Sequence, residues 1–170
     1  MAVNLSAIQF QDNDVVAQVS EALVASGLAP RWLELEITES VLMGEPEKMI
    51  PVLTELKTLG ARLAIDDFGT GYSSLAYLKR FPIDKIKIDR SFIRDLERSP
   101  GDEAIVRMVV AMARELDRQV IAEGVETEGQ LAFLRRHGCH EYQGFYCSRP
   151  VPGSRIPALR AAMAEQGAAR

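Results

Sequence analysis

Cysteine, aromatic residues and long apolar runs are all scarce in this sequence of 170 residues. Its two cysteines, Cys139 and Cys147, are too few to staple a domain and fit a reducing compartment as free thiols. The longest apolar stretches fall well short of the ~18 residues a membrane span needs, and MAVNLS has no basic region leading into an apolar segment. No membrane segment or secretory leader is therefore expected, and the expected location is the cytoplasm. Positive charge is short as well. Twenty Lys and Arg against 24 Asp and Glu leave a net charge of −4 with no clustered basic face, which argues against duplex nucleic acid as a partner. What remains, 47% hydrophobic and 26% charged residues without a low-complexity linker, excludes disorder, collagen and coiled coil and predicts one domain over residues 1–170.

Short β-type runs alternate with amphipathic helical stretches. Val3 to Leu5 is strand-like. Asp12 to Ser26 then sets Val15, Val16, Val19 and Leu23 on one helical face, with Asp12 or Asn13 as N-cap and Gly27 as C-cap. Further strands are predicted from Trp32, Arg62, Lys85, Gln119 and Cys139, and helices over 46–60, 74–79, 102–116, 130–136 and 157–164. Six βα units at intervals of roughly 20 to 33 residues have the rhythm of a parallel sheet with crossover helices. The class is α/β, and an open doubly wound sheet and an incomplete (β/α)₈ barrel both remain possible, since a whole barrel takes eight units and about 250 residues.

Polar residues gather at the strand ends. Asn4, Glu36, Asp66 with Asp67, Lys87 with Asp89, Glu123, and Gln143 each close a strand on its carboxyl side, where a buried parallel strand should be apolar. Such a rim marks the active-site face of α/β folds. An oxygen-rich set without His or Cys suits a hard cation such as Mg²⁺ or Mn²⁺. The adjacent Asp66 and Asp67, leaving the sheet as a turn begins, suit two metals about 3.5–4 Å apart, with Lys87 orienting a water or neutralising phosphate. Against this stands the plainer reading that strand-end acids only cap the next helix.

The motifs Asn4-Leu5-Ser6, Glu36-Ile37-Thr38-Glu39, Asp66-Asp67-Phe68-Gly69-Thr70-Gly71-Tyr72-Ser73-Ser74-Leu75, Lys87-Ile88-Asp89, Glu123-Gly124-Val125-Glu126, and Gln143-Gly144-Phe145 with Ser148-Arg149-Pro150 resemble, in order, those of EAL-type cyclic-di-GMP phosphodiesterases. The resemblance implies a modified TIM barrel that hydrolyses cyclic di-GMP to linear pGpG with Mg²⁺ or Mn²⁺. It makes Asn4, Glu36 and Asp66 metal ligands, with Asp67 serving the second metal. Lys87 would orient the attacking water, Glu123 would act as ligand or base, and Gln143 would lie in the inner shell. Asp89, Arg149 and Pro150 would stand with the substrate-binding residues. Glu39 would anchor the loop after the double aspartate, which in this family leads to a dimer surface, so a homodimer is expected.

The Glu-Ala-Leu triplet that names the family, whose glutamate is a metal ligand, does not occur. The chain resembles the last three quarters of the domain, six of eight units, as either a shortened protein or a fragment, with impaired activity expected. A non-catalytic cyclic-di-GMP receptor or protein-interaction module is the rival.

Other signals are weaker. Asp67-Phe68-Gly69 lacks the companion motifs of a kinase. Gly69-Thr70-Gly71 lacks the third glycine of a dinucleotide site and reads as a tight turn. His137, Cys139, His140 and Cys147 have zinc-type chemistry, but the cysteines read as alternating with apolar strand residues. Met108 and Met112, one helical turn apart, read as core, and Arg135 and Arg136 as solvated surface.

Overall fold

The structure, a computed structural model, describes residues 1–11, 14–71 and 74–168. Among the described residues, six strands and nine α-helices follow one another: β1 (Ala2–Leu5), α1 (Ala7–Gln11), α2 (Val15–Ser26), β2 (Glu34–Thr38), α3 (Glu39–Gly44), α4 (Pro46–Thr58), β3 (Arg62–Phe68), α5 (Leu75–Leu78), β4 (Lys85–Ile88), α6 (Arg90–Arg94), α7 (Pro100–Glu115), β5 (Gln119–Ala122), α8 (Glu128–Arg136), β6 (Glu141–Tyr142) and α9 (Ile156–Ala168). All strand pairs are parallel, and the sheet order is β1-β2-β3-β4-β5-β6. A doubly wound sheet reverses its order at a switch point, whereas a barrel lays each strand beside the last, so the order decides for the barrel type.

A two-residue period gives the sheet two unlike faces. Leu35 and Ile37, Leu63 and Ile65, and Ile86 and Ile88 are exposed by 1% or less and join one core with Leu53 and Leu56 of α4, Val106 and Val109 of α7, and Leu131 and Leu134 of α8. Each such aliphatic side chain contributes about 1.5–3 kcal/mol by leaving water. The alternate residues, Glu34 and Glu36, Ala64 and Asp66, Lys85 and Lys87, share the other face, as the registers Glu36↔Ala64 and Ala64↔Lys85 require.

That face is concave. Lys85 Nζ meets Glu34 Oε2 of β2 at 3.2 Å and Glu141 Oε2 of β6 at 3.0 Å. These strands lie four apart, roughly 19 Å in a flat sheet. Convergence of both carboxylates on one ammonium means the sheet curls around β4.

Several boundaries differ from those the sequence predicts. The N-cap residues Asp12 and Asn13 lie outside the described residues; α2 is preceded instead by Asp14, whose side chain makes no capping bond. Pro30–Trp32 forms a 3₁₀ turn because Pro30 presets its φ, so β2 starts at Glu34 rather than Trp32. Ser99 caps α7, accepting from the Asp102 N–H, and Pro100 takes the first turn, two residues earlier than predicted. A Thr127–Gln130 capping box likewise starts α8 at Glu128. Cys139 donates its N–H back to Leu134 O after the α8 turn, which shortens β6 to two residues and leaves neither cysteine in a strand. Met108 is 60% exposed, so only Met112 of that pair packs against the core.

Candidate active site

The inward half of the alternation carries the strand-end residues to one rim. Asn4 is in register with Glu36, and Thr38 with Asp66, while Glu123 and Gln143 directly follow β5 and β6. Lys87 stands at the centre. Its Nζ lies 2.9 Å from Glu36 Oε1, 2.8 Å from Asp66 Oδ1 and 2.6 Å from Glu123 Oε1, with the side chain 5% exposed. Burial opposes the charge on Lys87, but hydrogen bonds to Asp66, Glu123 and Glu36 override it and hold the ammonium above the usual lysine range. Gln143 Nε2 donates to the same Glu123 Oε1 at 2.6 Å, so two donors hold that oxygen. Burial raises the Glu123 pKa; Lys87 pulls it back, and the charges of Asp66 and Glu36 push it up again.

Asp66 and Asp67 reach the same mouth by a different device from the turn predicted for them. The strand runs on to Phe68, and its register with β4 shifts between Ile65 and Phe68. Within that bulge Asp67 adopts φ 53°, a left-handed conformation that turns it out of alternation. Carboxylate oxygens of Asp66, Asp67 and Glu123 come within 4.8 Å of one another. Burial raises the Asp67 pKa, and the neighbouring charges of Asp66 and Asp89, with a hydrogen bond to Asp89, raise it further. Asp89 itself caps α6: its Oδ1 accepts from the Ser91 N–H at 2.9 Å. Burial raises the Asp89 pKa, but the hydrogen bonds from Ser91 outweigh that and leave it below the usual range.

The donor set fits a hard divalent cation. Asp66, Asp67 and Glu123 offer only carboxylate oxygens, and with Glu36 they outnumber the single ammonium of Lys87, leaving negative charge for a cation to balance. Glu36 is engaged by Lys87, and Asn4 stands beside it on the exposed edge strand. Arg149 and Pro150 lie beyond Glu123 and Gln143, lining an adjoining pocket. Glu39 lies behind the rim, 1% exposed, where its Oε2 accepts from the Gly69 N–H at 2.8 Å. A Cβ at Gly71 would lie 2.9 Å from Glu39 Oε1, so the loop passes the carboxylate closely. Tyr72 and Ser73 of that loop lie outside the described residues.

The zinc-type residues do not assemble among the described residues. Cys139 Sγ donates to Glu141 O at 3.4 Å, while Cys147 Sγ is 3.9 Å from Met163 Sδ. Burial first, then the Glu141 charge, push the Cys139 thiol up to about 12.

Reading strand ends alone misses a lower ring, that of Lys85 with Glu34 and Glu141. Burial disfavours the Lys85 charge, and Glu141 and Glu34 more than restore it, so its pKa is raised. The signal was the spacing: Glu34 and Glu36, Lys85 and Lys87, and Glu141 and Gln143 are each two apart, so each pair falls on one face.

The sequence profile of the EAL domain matches residues 1–150. The cyclic di-GMP phosphodiesterase NbdA of Pseudomonas aeruginosa is 51% identical over 152 residues, covering 89% of this chain and 19% of the relative. The structure of the PaMucR phosphodiesterase in complex with c-di-GMP superposes with TM-score 0.89 and 48% identity, over 91% of this chain and 63% of that one. Klebsiella pneumoniae BlrP1, solved with cyclic di-GMP and manganese and also with calcium, superposes with TM-score 0.81 and 40% identity, over 88% of this chain and 38% of that one. The chain spans about a fifth of the length of the curated relatives it matches.

Proposed function

Because the chain belongs to the EAL domain family, we propose that it is a cyclic-di-GMP phosphodiesterase that uses Mg²⁺ or Mn²⁺. Water adds across one P–O3′ ester bond, the 3′-oxygen leaves with a proton, and linear pGpG results. The observation that carries this reading is the ring of Glu36, Asp66 and Glu123 around Lys87 with Asp67 beside it, at the carboxyl end of a parallel sheet.

Asp66, Asp67 and Glu123 would hold the cation, with Asn4 and Glu36 next in reach on β1 and β2. When bound, it supplies a water of lowered pKa and charge for the phosphoryl oxygens. Lys87 keeps its proton and holds three carboxylates at fixed positions, with its charge available to the phosphate. Glu123, whose Oε1 is held by both Lys87 and Gln143, is placed to serve as a ligand of the cation or as the acceptor of the water's proton. Asp89 stands against Asp67, and its negative charge adds to the excess that a cation would balance. Glu39 ties down the Gly69 N–H and with it the loop behind Asp67.

The reading includes a cytoplasmic setting, with which the two free thiols agree, and a homodimer. Incubation with cyclic di-GMP and Mn²⁺, followed by chromatography, tests the chemistry. pGpG is the expected product; binding in Ca²⁺ without turnover in Mn²⁺ would replace the enzyme by a receptor. Light scattering across a concentration series tests the homodimer, and a constant monomer mass would remove it.

A further inference from the structure

We propose that Gln130, a buried residue of α8 that is no part of the rim, is a positioning residue: it sets where Glu123 stands relative to Asp67 and Asp89 and so keeps the cation ligands together. The inference rests on the cation-site reading above. Gln130 is 4% exposed, and its side chain makes more hydrogen bonds than a helix start requires. A capping box needs one of them, from the Thr127 N–H. Here Oε1 accepts twice, from the Thr127 N–H at 3.1 Å and from the Glu126 N–H at 2.7 Å. Nε2 reaches away from its own helix and donates to Ile93 O at 2.9 Å and Arg94 O at 3.4 Å. One side-chain amide thus joins α6 to the turn that enters α8.

Both joined segments lead straight to the site. α6 begins at Arg90, next to Asp89, which stands against Asp67. Glu126 closes the turn Glu123-Gly124-Val125-Glu126 that follows β5, and Gly124, at φ +72°, lets that turn lie on α6: a Cβ there would lie 2.7 Å from Arg90 Cβ. The turn's other side is fastened to the segment after β6, where the Val125 N–H donates to Gln143 O at 3.1 Å and the Tyr146 N–H to Val125 O at 2.9 Å. Glu123 is therefore held between two neighbours, and Gln130 makes a tie on the Asp89 side. Glutamate at this position separates the two roles, because a carboxylate accepts but does not donate. It keeps the capping box and drops the tie to α6.

The test compares Gln130→Glu and Gln130→Met with the unaltered chain and with Ser99→Ala, which loses the N-cap of the neighbouring α7 and touches none of these bonds. Thermal melts set a temperature at which all are folded, and two readouts are taken there. One is Mn²⁺ affinity by calorimetry. The other is the side-chain amide NMR signal of Gln143, whose Nε2 donates to Glu123 and so reports where that carboxylate stands. Both Gln130 variants are expected to weaken Mn²⁺ binding about 10- to 100-fold, as loss of an outer partner of a metal site does, and to shift the Gln143 signal before any cation is added. Ser99→Ala is expected to change neither. Unchanged Mn²⁺ affinity with an unmoved Gln143 signal in Gln130→Glu overturns the proposal and leaves Gln130 a helix cap. Equal losses in Ser99→Ala overturn it as well, by making the effect one of stability. An unaltered chain that takes up no Mn²⁺ fails the cation-site reading itself, and the Gln143 signal then decides whether Gln130 positions Glu123. Should Gln130→Met not fold, Gln130→Glu decides.

Discussion

Lys85 and Lys87 sit two residues apart on the same strand, face the same way and are each ringed by carboxylates, yet the two rings are built for different ends. The lower one is closed. Lys85 meets one carboxylate from β2 and one from β6, both within 3.2 Å, and gathers strands from either side of β4. The upper one is overfilled with negative charge: Lys87 serves Glu36, Asp66 and Glu123, while Asp67 adds a fourth carboxylate on the side of the mouth. The lower ring is left with one excess negative charge and the upper with three, and it is the larger excess, at the carboxyl end of the strands, that invites a cation.

Removing each lysine in turn sharpens this contrast most. Lys87→Met leaves three carboxylates facing one another at the rim, and we expect hydrolysis to fall by about 10²-fold or more in kcat. We expect its melting temperature to fall as well, because breaking a buried pair costs about 3–5 kcal/mol, and Mn²⁺ to restore much of the loss by taking the lysine's place among the acids. Lys85→Met should cost stability of the same order but leave hydrolysis per folded molecule within a few fold, with no recovery on adding Mn²⁺. If Mn²⁺ rescues both variants equally, the two rings do not differ as described.

The loop behind the upper ring is next in size. Glu39→Ala strands the Gly69 N–H and should cost about 1–3 kcal/mol in the melt, together with weaker Mn²⁺ binding. Gly71→Ala presses on the same carboxylate from the loop side and should weaken Mn²⁺ binding in the same sense. A lowered melt with unchanged Mn²⁺ affinity in both variants would confine Glu39 to the fold.

The smallest effects come from titration and thiol chemistry in the lower ring. The folded pKa of Lys85 is raised above its ordinary 10.5, so its contribution to stability is complete below that pH and is lost as the pH climbs through the higher folded value. The melting difference between the unaltered chain and Lys85→Met should hold from neutral pH to 10.5 and narrow above it. Cys139, with its thiol pushed up to about 12 beside Glu141, should label slowly with a thiol reagent at neutral pH while Cys147 labels readily. Lys85→Met, by freeing β6, should quicken Cys139; unchanged labelling would mean that the lower ring does not hold that strand.

Much of the upper ring was legible in the sequence because its residues fall toward the carboxyl ends of their strands, in or just after them, and a polar residue there breaks an apolar run. The lower ring stands at the opposite ends, since Glu34, Lys85 and Glu141 open β2, β4 and β6. In Glu34-Leu35-Glu36 and Lys85-Ile86-Lys87 the period of two was on view, but only the sheet's curvature shows that Glu34 and Glu141, from strands four apart, share one lysine. The bulge at Asp67 gave no signal either, since a left-handed aspartate carries none of the mark that a glycine would. Parallel order and the α/β class followed from the six repeated units; the two-residue β6 did not, because the Cys139 N–H is committed to the α8 turn by tertiary packing rather than by local propensity.

Calorimetric titration of the unaltered chain with Mn²⁺, run beside Asp66→Asn, tests the central claim that the upper ring is a cation site. The account predicts saturable heat from the unaltered chain and its loss, or a shift to at least tenfold weaker binding, in the variant, since hard-cation affinity follows ligand charge and number. Equal heats from the two proteins would contradict it.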